Sequence, residues 1–380
     1  MKLLVIGQVD IVGEDSKSTR NRSLNIILNE YAKHCDEVAY FAPGKIEQKS
    51  VDTVRALFYS ASPYKRNLLG RIKLIVSSKI LREAEKVVEE FNPDIIQIRV
   101  PAPFAIKIGL HLKKRFSDRI MVYVAGDISE SLRANFAMPG IGIMSDVMLQ
   151  WQDRLIRGLP VVTAGDVLKQ KLMDRYNGQI NCHAYYSTTH TDIYRGEERD
   201  DELLVVGRLE PLKRPHLAVD VLSILHKKGL PNYVLRFLGD GPERENLAAR
   251  AASLGLADKV IFHGYERDSM ALRSIYLKAK FLLHPSKTEG TSKVLAEAMA
   301  HGVVPIAVRD VGSNNYILAH EVGFLTNGDP AEMAKCILES QANEEIYRRK
   351  LEAGYVYAER HTLSVEVENM MRWAMKELGA

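Results

Sequence analysis

Cysteine is scarce in this 380-residue sequence, which holds only three. Cys35, Cys182 and Cys336 are odd in number and far apart, which argues against a disulfide framework and a clustered metal site. No apolar run approaches the roughly 20 residues that a membrane-spanning helix needs. The opening run, MKLLVIG, is too short for the apolar core of a signal peptide. These absences predict a cytoplasmic protein.

A large excess of one charge is also missing, since 52 Lys and Arg face 48 Asp and Glu. The balance is uneven, because residues 1–196 hold 28 basic and 21 acidic side chains, against 24 and 27 in residues 197–380. We therefore expect an anionic partner on the first half, and no nucleic acid. Residues 65–86 concentrate the positive charge among apolar residues. This mix is typical of a helix on the inner face of an anionic membrane, or of a solvated helix packed by its apolar face.

Short apolar runs rich in β-branched residues alternate with helical patterns along the chain. The runs are 3–7, 38–41, 95–100, 120–124 and 161–163, then 203–206, 235–238, 260–262, 281–284 and 304–308. This alternation predicts an α/β fold, with two Rossmann-like doubly wound domains on parallel sheets. A polar stretch near 185–200 separates them. We expect an N-terminal domain over 1–190, a C-terminal domain over 200–360 and a helix over 361–380 that crosses back. A cleft between the two domains is then the expected active site.

The stretch 281–302, FLLHPSKTEGTSKVLAEAMAHG, carries the most chemistry. A strand ends at Pro285, and a helix begins near Thr291 or Ser292, either of which can cap it. Gly290 lets the backbone approach a ligand closely. The N–H groups of the first helical turn, together with Lys293, would form a cradle for an anion.

Two glutamates flank this turn. Glu289 precedes it and Glu297 lies inside the helix, about 12 Å further along the axis. Carboxylates accept hydrogen bonds from sugar hydroxyls, which a nucleotide sugar offers at both ends. Taken separately, Glu297 is an ordinary helix former and Glu289 an ordinary loop acid. Their coincidence with a second anion site favours the functional interpretation.

That second site is 203–215, LLVVGRLEPLKRP, where Arg208, Lys213 and Arg214 follow a buried strand. Three cations in one loop would repel one another unless an anion sits among them, and a diphosphate suits the bidentate guanidinium. An exposed basic loop is the alternative. A third loop holds Gly239 and Gly241, which permit tight turns near a nucleotide or simply make a turn.

In order, GRLEPLKRP, FLGDGPE, VIFHGY and TEGTSKVLAEAMAHG resemble the motifs of the family 4 glycosyltransferases, closely over about residues 200–330 and loosely in the first half. These are retaining enzymes of the GT-B type, with two Rossmann-like domains facing across a cleft. The resemblance implies transfer of a sugar from a nucleoside diphosphate sugar, with UDP or GDP as the nucleotide. The acceptor would be the hydroxyl of a glycan, a lipid-linked sugar or a small molecule. It also implies polysaccharide or glycoconjugate biosynthesis, without a cofactor or metal.

The resemblance also implies individual roles. Arg208 and Lys213 match the pair that holds the donor diphosphate, and Arg214 is a substitute for Lys213. Glu289 matches the glutamate at the transferred sugar, and Glu297 the one that binds the ribose. The remaining donor-side positions are those around the distal phosphate and the nucleotide: Gly290, Thr291, Ser292, Lys293, Gly239 and Gly241.

The acceptor side departs from the family. The stretch 123–127, YVAGD, keeps Asp127 but lacks the histidine that usually precedes it. Asp127 can orient an acceptor hydroxyl or accept its proton, and it can equally cap the next helix. Gly13, Arg20 and Arg99 are the other acceptor-side candidates. In the linker, a lone loop histidine such as His190 is more often structural.

Two other functions fit parts of the pattern. A nucleotide-sugar epimerase can share the GT-B architecture, but it would need acid and base groups around the sugar. A nucleotide-sugar-binding subunit without transferase activity is compatible with the histidine missing before Asp127. We expect a transferase whose catalysis depends on Glu289, Arg208, Lys213 and Asp127.

Overall fold

The computed structural model describes residues 1–7, 19–43, 56–61, 77–127, 141–186, 188–196, 199–266, 268–289 and 291–379. These residues belong to two compact units. The first unit combines Met1–Tyr186 with Leu363–Ala380, and the second is Ser187–Thr362.

Each unit is built on a parallel sheet. The strands of the first are β1 Lys2–Ile6, β2 Glu37–Pro43, β3 Leu57–Ala61, β4 Ile95–Val100, β5 Ile120–Val124, β6 Val161–Ala164 and β7 Cys182–Tyr185. Within the described residues they lie in the order β3-β2-β1-β4-β5-β6-β7. The strands of the second are β8 Glu202–Val206, β9 Val234–Leu238, β10 Val260–Gly264, β11 Phe281–His284, β12 Val304–Val308 and β13 Phe324–Thr326, in the order β10-β9-β8-β11-β12-β13.

Helices connect the strands and cover both faces of each sheet. In the first unit they are α1 Thr19–His34, α2 Lys79–Phe91, α3 Pro103–Phe116, α4 Ile141–Ile156 and α5 Asp166–Arg175. In the second they are α6 His216–Lys227, α7 Arg244–Ser253, α8 Ser269–Lys278, α9 Lys293–Ala300, α10 Asn314–Leu318, α11 Pro330–Ala342 and α12 Glu344–Arg360. The last helix, α13 Leu363–Leu378, belongs to the first unit.

The side chains of the strands contribute to two apolar layers in each unit. In the first, Ile96 and Ile98 face α2, α3 and α4, while Leu3 and Val5 face α1 and α13. The second unit repeats the arrangement with one layer under α6 and α11 and another under α9 and α12. Strands buried on both faces must be apolar almost throughout, which explains why uninterrupted runs mark them in the sequence.

The order of strands places the candidate sites. In each sheet the chain starts in the middle, proceeds to one edge and then returns to the other side, so the order reverses between β1 and β4 and between β8 and β11. Ligands of doubly wound sheets bind beyond the carboxyl ends of the strands at such a point. The loop after β8 is the basic loop, and the loop after β11 carries Glu289. The sequence predicts these two loops as the donor site.

The described half of the basic segment forms the start of α2. Its apolar residues Ile80 and Ala84 are buried in the core of the first unit. Lys79 and Lys86 lie on the exposed side and pair with glutamates one turn further along the helix. Residues 65–76 lie outside the described residues. For residues 77–86 the apolar face is therefore occupied by the protein's own core. Among the described helices, none has the length and apolarity needed to cross a membrane.

Candidate functional site

A lysine and a glutamate meet where the strand order of the second sheet reverses. Lys213 ends a short 3₁₀ turn, Pro211–Lys213, after β8, and Glu289 follows β11. Lys213 Nζ donates to Glu289 Oε1 at 2.5 Å. His284 Nε2, from the last residue of β11, lies 3.2 Å from the same oxygen. The Glu289 side chain is only 11% exposed, so two nitrogen groups converge on one nearly buried carboxylate.

The ionisation of Glu289 is fixed by these neighbours. Burial by itself raises the pKa of the carboxyl, but the hydrogen bond and charge of His284 and the charge of Lys213 outweigh it and lower the pKa to about 2. At neutral pH Glu289 is therefore a carboxylate that accepts hydrogen bonds and holds a full negative charge. It has no proton to give.

The two arginines of the same loop differ in their contacts. Arg208 is well exposed, and its Nη2 lies 2.8 Å from Glu210 Oε1. Arg214 instead donates from Nε to the carbonyl of Pro285 at 2.8 Å, and from Nη2 to the carbonyl of Ser286 at 3.3 Å. Arg214 thereby ties the β8 loop to the β11 loop. Its predicted role as a phosphate ligand stays a prediction.

The start of α9 is held by side chains rather than capped. Ser292, one of the two residues that the sequence predicts at the start of the helix, occupies the N-cap position, but its side chain makes no bond to the helix. The hydroxyl donates to Asn314 Oδ1 at 2.8 Å, and Asn314 Nδ2 donates to the Val308 carbonyl at 2.8 Å. Ser292 and Asn314 are both buried. This chain of bonds fixes the helix terminus against β12, next to the loop that carries Glu289.

Glu297 is positioned by two hydroxyl groups. The Thr189 hydroxyl donates to Oε1, and the Tyr276 hydroxyl lies 3.3 Å from Oε2. Tyr276 is fully buried, and this burial together with the neighbouring carboxylate raises the pKa of its phenol well above the ordinary value. Glu297 is thus an oriented hydrogen-bond acceptor, whereas an ordinary helix former would only face solvent.

A histidine packs against the tyrosine that contacts Glu297. The His301 ring stacks on Tyr276 and on Tyr194, with 4.8 Å between ring centroids in both cases. Its Nδ1 lies 2.7 Å from the Glu297 carbonyl oxygen. Burial is the main reason that the pKa of His301 is lowered to about 4. The ring is therefore neutral at pH 7 and acts as a packed support for Tyr276.

The linker histidine is structural, as expected for a lone loop histidine. His190 is buried, with Nδ1 2.6 Å from the Thr188 hydroxyl and Nε2 2.9 Å from the Ala358 carbonyl. Both ring nitrogens are thus occupied. The ring anchors the segment from which Thr189 reaches Glu297.

The glycines of the third loop allow two backbones to touch. Gly239 has φ +144°, and a Cβ there would lie 2.0 Å from the Gly207 carbonyl oxygen. A Cβ on Gly241 would lie 2.4 Å from the Leu209 carbonyl oxygen. The β8 and β9 loops are joined by bonds such as Leu209 N to Asp240 O at 3.0 Å. The close approach that these glycines permit is between loops of the protein, which then present one surface at the sheet edge.

The acceptor-side candidates lie in the first unit, and only some of them fall within the described residues. Asp127 follows β5 and lies 3.4 Å from Lys171 Nζ. Arg99 is the penultimate residue of β4, at the carboxyl end. Arg20 falls within α1, but its side chain lies outside the described residues, and so do Gly13 and Gly290. In the part of the chain that is described, no group of three or more His, Cys, Asp and Glu side chains is arranged to hold a metal ion.

Sequence reasoning missed Thr189, Tyr276 and His284. His284 carries a recognisable signal, because a polar residue at the carboxyl end of a buried strand is unusual. The other two have none, since they reach Glu297 across 108 and 21 residues of sequence.

The chain is similar to known glycosyltransferases. Residues 188–355 match the family model described as glycosyl transferases group 1. The chain is 30% identical over 155 residues to the GalNAc-α-(1→4)-GalNAc-α-(1→3)-diNAcBac-PP-undecaprenol α-1,4-N-acetyl-D-galactosaminyltransferase of Campylobacter jejuni, covering 40% of this chain and 42% of that protein. It is 34% identical over 144 residues to a D-inositol 3-phosphate glycosyltransferase of Acidothermus cellulolyticus, covering 36% and 32%. The chain thus spans less than half of the length of these relatives.

The solved structures extend the likeness to the whole chain. HepE of Anabaena in complex with UDP superimposes with a TM-score of 0.73 at 17% identity, covering 99% of this chain and 100% of that one. At this identity the likeness shows the fold. Residues 188–355 therefore match the glycosyl transferases group 1 model, and the chain as a whole shares the fold of HepE.

Proposed function

We propose that the chain transfers a sugar from a nucleoside diphosphate sugar to an acceptor hydroxyl, with retention of anomeric configuration and without a metal ion. The observation that supports this most directly is the meeting of Lys213 and Glu289 at the reversal of strand order, beside the start of α9. HepE, which shares the fold, has been solved with UDP and with UDP-glucose. A UDP-sugar is therefore the first donor to test.

The diphosphate would bind by exchange of partners. Lys213 and Arg208 are paired with Glu289 and Glu210. A diphosphate carries more negative charge than a carboxylate and offers several oxygens to a guanidinium. Charge grows on the leaving diphosphate as the glycosidic bond breaks. Cations and helix N–H groups aimed at that charge bind the transition state more tightly than the ground state, which raises the rate.

Glu289 would act as a fixed negative charge at the transferred sugar. With a pKa of about 2 it is ionised at neutral pH and a weak base. A carboxylate of this kind accepts hydrogen bonds from sugar hydroxyls and stabilises positive charge at the reacting carbon. The acceptor proton would pass to an oxygen of the departing diphosphate. A protein group then need not remove it, which is the route that retention without a covalent intermediate requires.

The same pKa argues against the epimerase. General acid and base groups work best when their pKa lies near the operating pH. Glu289 and His301 have pKa values of about 2 and about 4. Both values are far from neutrality, so neither side chain is suited to move protons to and from the sugar.

The acceptor would bind the first unit, with Asp127 as the candidate for orienting its hydroxyl. The names of two relatives describe acceptors that carry phosphate, a diphosphate-linked undecaprenol glycan and D-inositol 3-phosphate. We extend this to the chain as a proposal: its acceptor is an anionic sugar or a lipid-linked glycan.

A thermal-shift panel of UDP, GDP, ADP and their common sugars, in the presence of EDTA, tests the donor site. We expect one nucleotide series to raise Tm in the wild type. Arg208→Ala abolishes the shift, whereas Arg348→Ala, an exposed arginine of the same unit, retains it. No shift with any nucleotide contradicts the proposal. A shift without sugar transfer to any acceptor would favour the binding subunit.

A further inference from the structure

Arg99 occupies a special position in the first sheet. It lies at the carboxyl end of β4, and β4 pairs with β1 where the strand order of this sheet reverses. This is the counterpart, in the first unit, of the point where Lys213 and Glu289 meet in the second. Ligands of such sheets bind at this edge.

Four tyrosines interact with the Arg99 guanidinium and are called its tyrosine cage below. Its Cζ lies 4.3 Å from the centroid of the Tyr123 ring, the register partner of Arg99 on β5. Tyr31, Tyr40 and Tyr185 complete the set, and each of these three is 1% exposed. The hydroxyl of Tyr40 occupies the place of a side chain at Gly7, because a Cβ there would lie 1.8 Å from it.

Among the described residues, the cage holds a positive charge without a negative one. No carboxylate of the described part forms an ion pair with Arg99; the Tyr31 side chain is its hydrogen-bond partner, and all four tyrosines interact with it electrostatically. The Tyr185 hydroxyl is buried and has no hydrogen-bond partner among the described residues. An arginine keeps its charge at all physiological pH values, and a charge removed from water requires a partner. Contact with an aromatic ring supplies only part of that compensation.

Two other partly buried arginines, both in the described part of the second unit, are compensated. Arg236 forms two bonds with Glu202, at 2.6 and 2.9 Å. Arg199 donates to the carbonyls of Ala279 and His301, at 3.0 and 2.6 Å. Arg99 differs from both because it has no carboxylate as a partner among the described residues, and it is only partly buried.

We propose that Arg99 and its tyrosine cage bind an oxyanion, a phosphate or a carboxylate, of the acceptor. The guanidinium offers a planar fork to two oxygens, and the unpartnered Tyr185 hydroxyl supplies a further donor nearby. The assignment of the oxyanion to the acceptor rests on the proposed function. The binding of an oxyanion by Arg99 is independent of that function.

Inorganic phosphate is the probe that tests this site. Because the donor site would bind phosphate as well, the full chain is first given the substitutions Arg208→Ala and Lys213→Ala. In this background we expect phosphate to raise Tm above a sodium chloride control of equal ionic strength, in a saturable manner. Adding Arg99→Gln abolishes the saturable shift. Adding Arg82→Gln, at an exposed position of α2, leaves it unchanged.

A second variant keeps the test informative if Arg99→Gln does not fold. Arg99→Lys retains the charge without the fork, and we expect it to weaken the apparent affinity for phosphate about tenfold. Sodium acetate in place of phosphate distinguishes the two oxyanions, and saturation by either one supports the site. No saturable shift with either, or a shift that persists in both Arg99 variants, overturns the inference. Binding of UDP by the wild type is measured separately, so failure at Arg99 leaves the donor proposal standing.

Discussion

Replacing Glu289 with glutamine removes the charge that Lys213 and His284 surround. In the folded protein the pKa of Glu289 falls from the ordinary value of 4.5 to about 2. One pKa unit corresponds to about 1.4 kcal/mol, so the ionised carboxylate contributes about 3 kcal/mol to folding at neutral pH. With only 11% of the side chain exposed, solvent screens little of this interaction. We therefore expect Glu289→Gln to lower the free energy of unfolding at pH 7 by about 3 kcal/mol.

The stability that the ionised Glu289 contributes depends on pH. A carboxyl whose pKa is lower in the folded state than in the unfolded state stabilises the fold above the unfolded value of 4.5. This stability disappears as the pH falls towards 2 and the folded protein also takes up the proton. The difference between the wild type and Glu289→Gln should therefore be largest at neutral pH and shrink steadily below about pH 5.

Urea unfolding followed by far-UV circular dichroism at several pH values is the assay. Fluorescence is unsuitable, because the two tryptophans, Trp151 and Trp373, both lie in the first unit. Glu345→Gln is the matched control in the second unit, since its pair with Arg348 is exposed and should contribute little to stability. A midpoint for Glu289→Gln equal to that of the wild type at pH 7, or a deficit that stays constant down to pH 3, would contradict this prediction.

Three further predictions concern nucleotide binding and turnover, stability, and membrane binding. Glu297→Ala should weaken nucleotide binding, measured by calorimetry, whereas Glu289→Ala should leave binding nearly intact and chiefly lower the rate of transfer; wild-type behaviour of both would contradict the site assignment. Gly239→Ala should cost about 1–3 kcal/mol of stability, because its Cβ would meet the Gly207 carbonyl at 2.0 Å; an unchanged urea midpoint would mean that the loops separate easily. Anionic vesicles should co-sediment the chain at low salt but not at high salt, and replacing Lys79 and Lys86 with glutamine should weaken this; no binding at low salt would exclude the membrane hypothesis.

The buried strands were predictable because burial on both faces requires uninterrupted apolar runs. All ten predicted runs fall on strands. The three strands that were not predicted, β3, β7 and β13, all lie at sheet edges. β13 is only three residues long, and β7 reads CHAY. An edge strand has one neighbour and less apolar cover, so its sequence needs no such run and resembles a loop.

The residues of the candidate site that follow directly after a predicted strand could be predicted from the sequence. Lys213 and Glu289 stand after strands that the sequence identifies, and the carboxyl ends of β8 and β11 are adjacent. The supporting groups were not predictable, because Thr189 and Tyr276 approach Glu297 only through the tertiary fold. The sequence indicates Thr291 and Ser292 as residues that can cap this helix, but it does not show that the buried amide of Asn314 engages the Ser292 hydroxyl.

The structure also changes the reason for expecting an anion in the second unit. From the sequence alone, Arg208, Lys213 and Arg214 are expected to repel one another unless a ligand neutralises them. The protein supplies the neutralising groups itself, namely Glu210, Glu289 and two backbone carbonyls. The case for a diphosphate therefore depends on the position of the loop at the reversal of strand order and on the exchangeable nature of the Arg208 and Lys213 pairs. Charge imbalance is instead the argument at Arg99, where the described residues offer no carboxylate.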